Sequence, residues 1–330
     1  MNEKNIALTL IVLCALAAVI ALVKPSAHKV SSEKKEMSVD SELLKKAIGS
    51  KKIKVLPLEG TIYDSMAASS PFRADYNAAY LKKELVKAIE DDSIKAVMLR
   101  VNSPGGTVAT SQELYKLVLK LRENGKPVVV SMSDVCASGC YYISSAADRI
   151  VANKGTLTGS IGVISSGVNY KLLFEKLGLK DQTIKAGKYK DLGNGARDVT
   201  AEEKAILQRL IDNSYKQFLE DIHFARGIEM DKLKKIAQGL IYTGEQALEV
   251  NLVDELGTYE DAKLAMLALL KKAGHEKADS YTFDEAWNKT KLKSIEKLLD
   301  INPFSKLDFA DLFAKYDFTQ IPEQILWMHR

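Results

Sequence analysis

The chain has 330 residues, a net charge of only +4 and an apolar content of 46%. This length allows one large domain or two modest ones with a sizeable core. Acidic and basic residues are interleaved, which argues against a nucleic-acid binder with a clustered basic surface. Three cysteines are too few for a disulfide scaffold and lack the spacing of a zinc site, so we expect no metal and no cofactor.

An uncharged run near the N-terminus is the first strong signal. Residues 6–23 carry no charge, and at about 1.5 Å per residue they match the hydrocarbon core of a bilayer. A cleaved signal peptide is the alternative, but its apolar core is usually only about 7–15 residues long. We therefore predict a transmembrane anchor over residues 1–24, in contact with lipid, and a polar stalk over residues 25–50.

Short apolar runs then alternate with amphipathic stretches, which predicts an α/β fold with a parallel sheet covered on both faces. Pro57 indicates that the first strand ends there or lies at a sheet edge. Thr200 and Glu203 form a capping box for the longest helix, and Gly227 ends it. The predicted strands are 52–58, 94–101, 127–132, 149–152 and 182–185; the predicted helices are 76–90, 108–121, 138–147, 170–177 and 201–226.

This alternation predicts a main domain over residues 51–275. Residues 276–330 mix aromatic and charged side chains, and we treat them as a C-terminal extension to which the sequence assigns no role.

Two motifs follow predicted strands, where α/β folds place ligands. In the first, 102–106 (NSPGG), adjacent glycines let the backbone approach a ligand and aim an N–H at a developing oxyanion. Taken alone, this pattern is more often a plain strand-to-helix turn.

The second motif, 136–140 (CASGC), places Ser138 at a strand-to-helix junction. A serine nucleophile and its oxyanion donor, here the Gly139 N–H, need this geometry. Serine in this position is more commonly a helix N-cap. A disulfide between Cys136 and Cys140 would tie down the turn, but we expect two small buried thiols instead. Neither cysteine begins the helix, so neither is favoured as the nucleophile.

A serine nucleophile needs a base, and none of the four histidines lies in a loop at a strand end. Lys190, in the stretch 185–191 (KAGKYKD), is the alternative. A lysine serves as general base when burial lowers its pKa, because the neutral amine is then available near pH 7. Three lysines so close together are more often a solvated charged loop.

Taken together, these motifs, with Tyr141-Tyr142 and 158–163 (TGSIGV), resemble the signal peptide peptidase A family of bacterial Ser/Lys-dyad serine peptidases. The resemblance implies a Clp-protease-like or crotonase-like fold with parallel sheets and flanking helices, preceded by one N-terminal transmembrane helix. It makes Ser138 the nucleophile, Lys190 the general base and Ser160 the residue that orients Lys190. It makes the N–H groups of Gly105 and Gly139 the oxyanion hole.

The resemblance also implies a substrate class, an assembly and a location. The substrates would be signal peptides and other short hydrophobic peptides. The chain would form a homo-oligomer in which Ser138 and Lys190 of one site come from neighbouring subunits. The catalytic domain would lie on the extracytoplasmic side of the cell membrane, whereas the lysines that follow the anchor favour the cytoplasm by the positive-inside rule. The family commonly has glycine where Cys140 and Asn251 stand here.

Two other functions share part of this pattern. A crotonase-type acyl-CoA enzyme has the same pair of N–H groups but does not need Ser138. A catalytically silent membrane scaffold would bind peptides without cleaving them, and Ser138→Ala would leave that binding intact.

Overall fold

The computed structural model describes residues 51–64, 76–285 and 287. The predicted transmembrane anchor, the stalk and most of the predicted C-terminal extension therefore lie outside the described residues. Within the described ranges, no helix is both long and apolar enough to cross a bilayer.

One predominantly parallel sheet organises the described part of the chain. Its strands are β1 (Lys52–Glu59), β2 (Ile94–Ser103), β3 (Val128–Ala137), β4 (Arg149–Ala152), β5 (Leu157–Gly159), β6 (Ile241–Thr243), β7 (Glu255–Leu256) and β8 (Thr282–Glu285). The spatial order is β6-β5-β3-β2-β1-β8, with β4 paired to β3 and β7 paired to β4. Only the β5–β6 pairing is antiparallel among these strands. Strand β3 is the branch point, because its start pairs with β4 and its end with β5.

Helices cover both faces of this sheet. They are α1 (Ala78–Glu90), α2 (Val108–Glu123), α3 (Gly139–Ser145), α4 (Lys171–Lys176), α5 (Ala201–Arg226), α6 (Met230–Ile236), α7 (Gly244–Glu249) and α8 (Tyr259–Lys272). Leu56 and Leu58 of β1 pack with α1, α2, α3 and α5, whereas Ile53 and Val55 pack with α8. Burial on both faces is typical of parallel strands. The predicted α/β class is confirmed.

The ends of α5 agree with the sequence prediction. The Thr200 hydroxyl accepts the Glu203 N–H at 3.2 Å, and the Glu203 carboxylate accepts the Thr200 N–H at 2.9 Å. Gly227 then ends the helix in the left-handed conformation, with φ at 64°. Short-range capping chemistry is therefore enough to place a 26-residue helix.

The first strand does not end at Pro57. Strand β1 continues to Glu59 and pairs with β2 along its whole length. On its other side β8 pairs only with Lys52–Val55, so no described strand lies beside Pro57 there. The missing N–H of proline consequently removes no ladder hydrogen bond, as at a sheet edge.

The strand predicted at residues 182–185 is wrong. Those residues form irregular chain, and Ile184 is 99% exposed. They belong to a segment, residues 164–199, in which no residue is buried and which we call the arm. An apolar run becomes a buried strand only where a neighbouring strand and a covering layer exist, and residues 51–64 and 76–285 supply neither to the arm.

Part of the predicted C-terminal extension belongs to the sheet. Strand β8 lies within residues 276–330 and pairs in parallel with the start of β1. Two residues further on, the Trp287 ring lies 5.9 Å from the ring of Tyr259.

Lys126 closes the C-terminal end of α1 from the start of β3. Its side chain is buried, with 8% of the residue exposed. The Nζ atom donates to the carbonyl oxygens of Ala88, Ile89 and Asp91 at 2.7, 3.0 and 2.9 Å. Carbonyls at a helix end lack intrahelical donors, and a cation there is favourable.

Lys126→Met should keep most of the aliphatic stem and remove these donors. We expect it to lower the free energy of unfolding by about 2–3 kcal/mol, because a charged donor to buried acceptors is lost. Urea unfolding followed by circular dichroism measures the change. Lys116→Met, at an exposed position of α2, is the matched control. Equal stabilities of the two variants would contradict this role for Lys126.

Candidate active site

Ser138 lies at the junction between β3 and α3. Strand β3 ends at Ala137, and α3 begins at Gly139. Between them Ser138 has φ at 52° and ψ at −122°, a conformation that residues with a side chain rarely adopt. Strained turns of this kind, between a strand and a helix, expose a nucleophilic serine in hydrolases.

The Ser138 hydroxyl is not used to cap α3. The residue occupies the N-cap position, but its side chain makes no capping hydrogen bond. Its backbone is held instead: the N–H donates to the Gly159 carbonyl at 2.8 Å, and the carbonyl accepts the Tyr142 N–H at 2.9 Å. The common capping role therefore does not account for this serine.

Glycines bring the turn after β2 into contact with the Ser138 turn. Gly105 has φ at 99°, and a Cβ there would lie 2.7 Å from both the Ala137 carbonyl oxygen and the Gly139 nitrogen. A Cβ on Gly139 would likewise collide with the Ser111 hydroxyl. The turn after β2 can therefore approach the backbone of the Ser138 turn this closely only because residue 105 is glycine.

The N–H groups of these glycines have different surroundings. The Gly105 N–H donates to the Ser103 hydroxyl at 3.1 Å, within its own turn. The Gly106 nitrogen lies 3.2 Å from the place of a Cβ on Gly139, and both glycines line the cavity beside Ser138. Of the two predicted oxyanion donors, Gly105 thus already has an intramolecular acceptor, whereas Gly139 borders the cavity.

Helix α3 anchors the serine in the core, since all of its residues are buried. The Tyr142 ring stacks on Phe218 of α5 with centroids 4.4 Å apart, and its hydroxyl donates to the Asp221 carboxylate. The Tyr141 hydroxyl donates to the Leu252 carbonyl at 2.9 Å. Burial raises the pKa of both tyrosines, so both stay protonated donors.

A disulfide brackets the serine, contrary to the expectation of two free thiols. Cys136 at the end of β3 is bonded to Cys140 in the first turn of α3, and both are fully buried. Their Cα atoms are 5.1 Å apart, within the usual range for a disulfide. The reversal of the chain at Ser138 brings the two cysteines together, and residue spacing alone does not reveal such a reversal.

A cavity of about 110 Å³ opens beside Ser138. Apolar and hydroxyl side chains line it, and none of the described lining residues is a histidine. The side chains are those of Val108, Ser111, Tyr142, Val163, Ile164, Ser214 and Phe218. Ser214 carries no signal in the sequence that marks a site residue, and Phe218 belongs to the predicted apolar stripe of α5. No local pattern distinguishes a cavity wall from ordinary core packing.

The structure brings Ser160 close to Ser138 but does not bring Lys190 there. Ser160 follows Gly159, whose carbonyl accepts the Ser138 N–H, and has φ at 50°. Lys190 is exposed on the arm, in a turn closed by its own N–H to the Gly187 carbonyl. Among the described residues, no hydrogen bond joins the Lys190 amine to Ser138 or Ser160, and Lys190 does not line the cavity.

The described residues thus hold a serine hydroxyl, glycine N–H groups and an apolar cavity, the parts of a serine hydrolase site without its base. Residues 120–273 match the model of Peptidase family S49. A signal peptide peptidase SppA of Enterococcus faecium is 36% identical over 284 residues, which cover 83% of this chain and 82% of that protein. The chain belongs to peptidase family S49, the signal peptide peptidase A family, and is a serine-type peptidase.

Other relatives match a shorter stretch. A protease of Synechocystis is 47% identical over 178 residues, which cover 54% of this chain and 64% of that protein. Protease 4 of Haemophilus influenzae is 36% identical over 213 residues, and the match spans only 34% of its length. Membership of a peptidase family decides against the acyl-CoA alternative.

The disulfide should contribute measurably to stability. Closing a loop this short restricts the unfolded chain by about 2 kcal/mol in the chain-entropy model. We expect refolded protein with reduced cysteines to be less stable than the oxidised protein by about that amount. Urea unfolding with and without reductant measures the difference, and Cys140→Ala should show no dependence on reductant. Alkylation of both thiols in the folded, unreduced protein would contradict the bond.

Proposed function

We propose that this chain is a membrane-anchored serine endopeptidase that cleaves signal peptides and other short hydrophobic peptides, with Ser138 as nucleophile and Lys190 as general base. The Ser138 turn carries the proposal: its hydroxyl has no capping role and lies beside an apolar cavity. The name of the Enterococcus faecium relative supports signal peptides as the substrate class.

In the proposed reaction, the neutral Lys190 amine accepts the Ser138 proton while Oγ attacks a peptide carbonyl carbon. The new C–O bond forms, and the carbonyl electron pair moves onto oxygen. Lys190 then gives the proton to the leaving nitrogen as the C–N bond breaks, which leaves an acyl ester on Ser138. Water, deprotonated by the same amine, then attacks the ester carbon. The C–Oγ bond breaks, Lys190 returns the proton to Oγ, and the carboxylic acid leaves.

We assign the oxyanion to the N–H groups of Gly139 and Gly106. Such donors act best when they are fixed before the reaction, and both glycines border the cavity next to the nucleophile. The Gly105 N–H is already donated to Ser103. In this proposal Gly105 has a structural role: its left-handed backbone, without a side chain, allows the turn after β2 to contact the Ser138 turn.

We further propose that the dyad forms between neighbouring subunits of a homo-oligomer. Lys190 lies outside the Ser138 cavity of its own chain, on an arm that exposes an unusual amount of apolar surface. The exposed fractions are 88% for Ile164, 78% for Val168, 69% for Leu172, 63% for Leu177 and 99% for Ile184. Large exposed apolar surface supports a protein interface at the arm. A neighbouring copy that covered the arm would bring Lys190 out of water, which favours a neutral amine.

The proposal also includes the membrane and the assembly. Residues 1–24 would anchor the protein in the lipid of the cell membrane, with the peptidase domain on the extracytoplasmic side. The subunits would adopt a Clp-protease-like or crotonase-like arrangement around a shared chamber, where short unstructured peptides reach Ser138.

Hydrolysis of fluorogenic hydrophobic peptides by the full chain in detergent tests the dyad. Activity should rise with pH, because a protonated lysine cannot act as a base. Ser138→Ala and Lys190→Ala should each abolish it, while Lys180→Ala, another exposed lysine of the arm, should not. Full activity of Lys190→Ala would show that another group is the base. An inactive parent that still binds peptides would favour the scaffold function.

Cavity size predicts preference for a small apolar side chain on the acyl side of the cleaved bond. Ser214 of α5 lines the cavity, so Ser214→Leu should narrow it. We expect kcat/KM to fall roughly tenfold for a peptide with leucine before the cleaved bond, relative to one with alanine, since a methylene or two decides such fits. Steady-state kinetics on the two peptides measures the ratio. An unchanged ratio would mean that the cavity does not hold that side chain.

A further inference from the structure

The turn that carries Lys190 is held by charged contacts rather than by packing. No residue of the arm is buried. Among the ion-paired side chains of the arm, that of Asp191, directly after Lys190, is the least exposed, at 9%. Its carboxylate accepts the Lys185 amine at 2.5 Å and the Arg197 Nε at 2.7 Å.

Arg197 joins this turn to the start of α5. Beyond the contact with Asp191, its Nη1 and Nη2 atoms donate to the Glu203 carboxylate at 2.9 and 2.6 Å. Glu203 is fixed in turn, because it is 4% exposed and completes the capping box with Thr200. A planar guanidinium can hold two carboxylates in a set geometry, which a lysine ammonium cannot do.

Neighbouring residues add to the same attachment. The Lys188 amine donates to Glu202 of α5 at 2.6 Å, and the Tyr189 hydroxyl donates to the same carboxylate. Residues on both sides of Lys190 are therefore tied to the first turn of α5. The Lys190 amine itself is left without a hydrogen bond among the described residues.

These ion pairs persist at the pH at which a lysine base works. The Arg197 guanidinium lowers the pKa of the Glu203 carboxyl to about 2. Hydrogen bonds from Arg197 and then Lys185 hold the pKa of Asp191 well below its usual range. Because both pKa values are lowered, both carboxylates stay charged throughout the neutral and alkaline range.

We propose that Arg197 is a positioning residue for Lys190: it fixes the Lys190 turn to the N-terminus of α5, so that the amine reaches the neighbouring Ser138 in one defined place. This inference depends on the proposed role of Lys190 as general base. An exposed turn without a core would otherwise sample many conformations, and catalysis depends steeply on the placement of the reacting groups.

Arg197→Ala tests this positioning role in the full-length oligomer. We expect kcat for peptide hydrolysis to fall by roughly 10- to 100-fold, the scale on which a small misplacement acts. KM should stay unchanged, because the cavity beside Ser138 is untouched. Arg197→Lys should recover only part of kcat, because it keeps the charge but not the two-sided contact.

Two further variants separate positioning from general effects on the fold. Glu203→Gln retains an acceptor for the capping box of α5 but loses the ion pair with Arg197. It should therefore lower kcat, as Arg197→Ala does. Lys171→Ala removes another ion pair of the same arm, Lys171 Nζ to Asp198 at 2.8 Å, and should stay within about twofold of the parent.

The outcomes distinguish this inference from the proposed function. Equal kcat values for Arg197→Ala and Lys171→Ala, with an active parent and an inactive Lys190→Ala, would overturn only the positioning role. Loss of activity together with dissociation of the oligomer on size-exclusion chromatography would also overturn it, since Arg197 would then hold subunits together. Full activity of Lys190→Ala would overturn the proposed function and this inference with it.

Discussion

Backbone contact between the turn after β2 and the turn after β3 is the constraint on which the catalytic half of the molecule depends. Gly105 and Gly139 make the contact possible, because any side chain at Gly105 would meet backbone atoms of the Ser138 turn. The same contact places Gly106 and Gly139 on one wall of the cavity. Buried α3 and the Cys136–Cys140 bond hold the other side of the turn. The strained backbone of Ser138 persists because its surroundings leave it no alternative.

The two halves of the proposed dyad stand in contrasting environments. Ser138 is fixed between a sheet and a buried helix of its own chain. Lys190 lies on an exposed arm whose internal order comes from Arg197 and its carboxylate partners. In the proposed assembly, activity would therefore depend on subunit contact, which would keep an isolated serine peptidase subunit inactive until it reaches its oligomer.

Sequence patterns predicted what local chemistry controls. The capping box at Thr200, the left-handed Gly227 and the junction at Ser138 all appear where the residues indicate. Of the two alternatives at Pro57, the strand does not end there, and no described strand lies on its other side at that residue. These features depend on a few neighbouring residues. The α/β class follows from the alternation of apolar runs with amphipathic stretches along the chain.

Features set by distant contacts could not be predicted in the same way. Residues 182–185 have the pattern of a strand, but no strand of the described part of the chain lies beside them. The disulfide depends on the reversal at Ser138, and Ser214 reaches the cavity only because α5 packs on α3. Lys190 shows most clearly why such features escape sequence patterns, since its proposed role depends on contact with a second chain.

Mixing the two inactive variants tests the central claim most directly. Ser138→Ala and Lys190→Ala chains, co-expressed in equal amounts and purified as one oligomer through different tags, would each lack one member of the dyad. If each site takes Ser138 from one subunit and Lys190 from its neighbour, the mixture should recover about a quarter of the parent activity. A mixed oligomer as inactive as either variant alone would contradict a dyad shared between subunits.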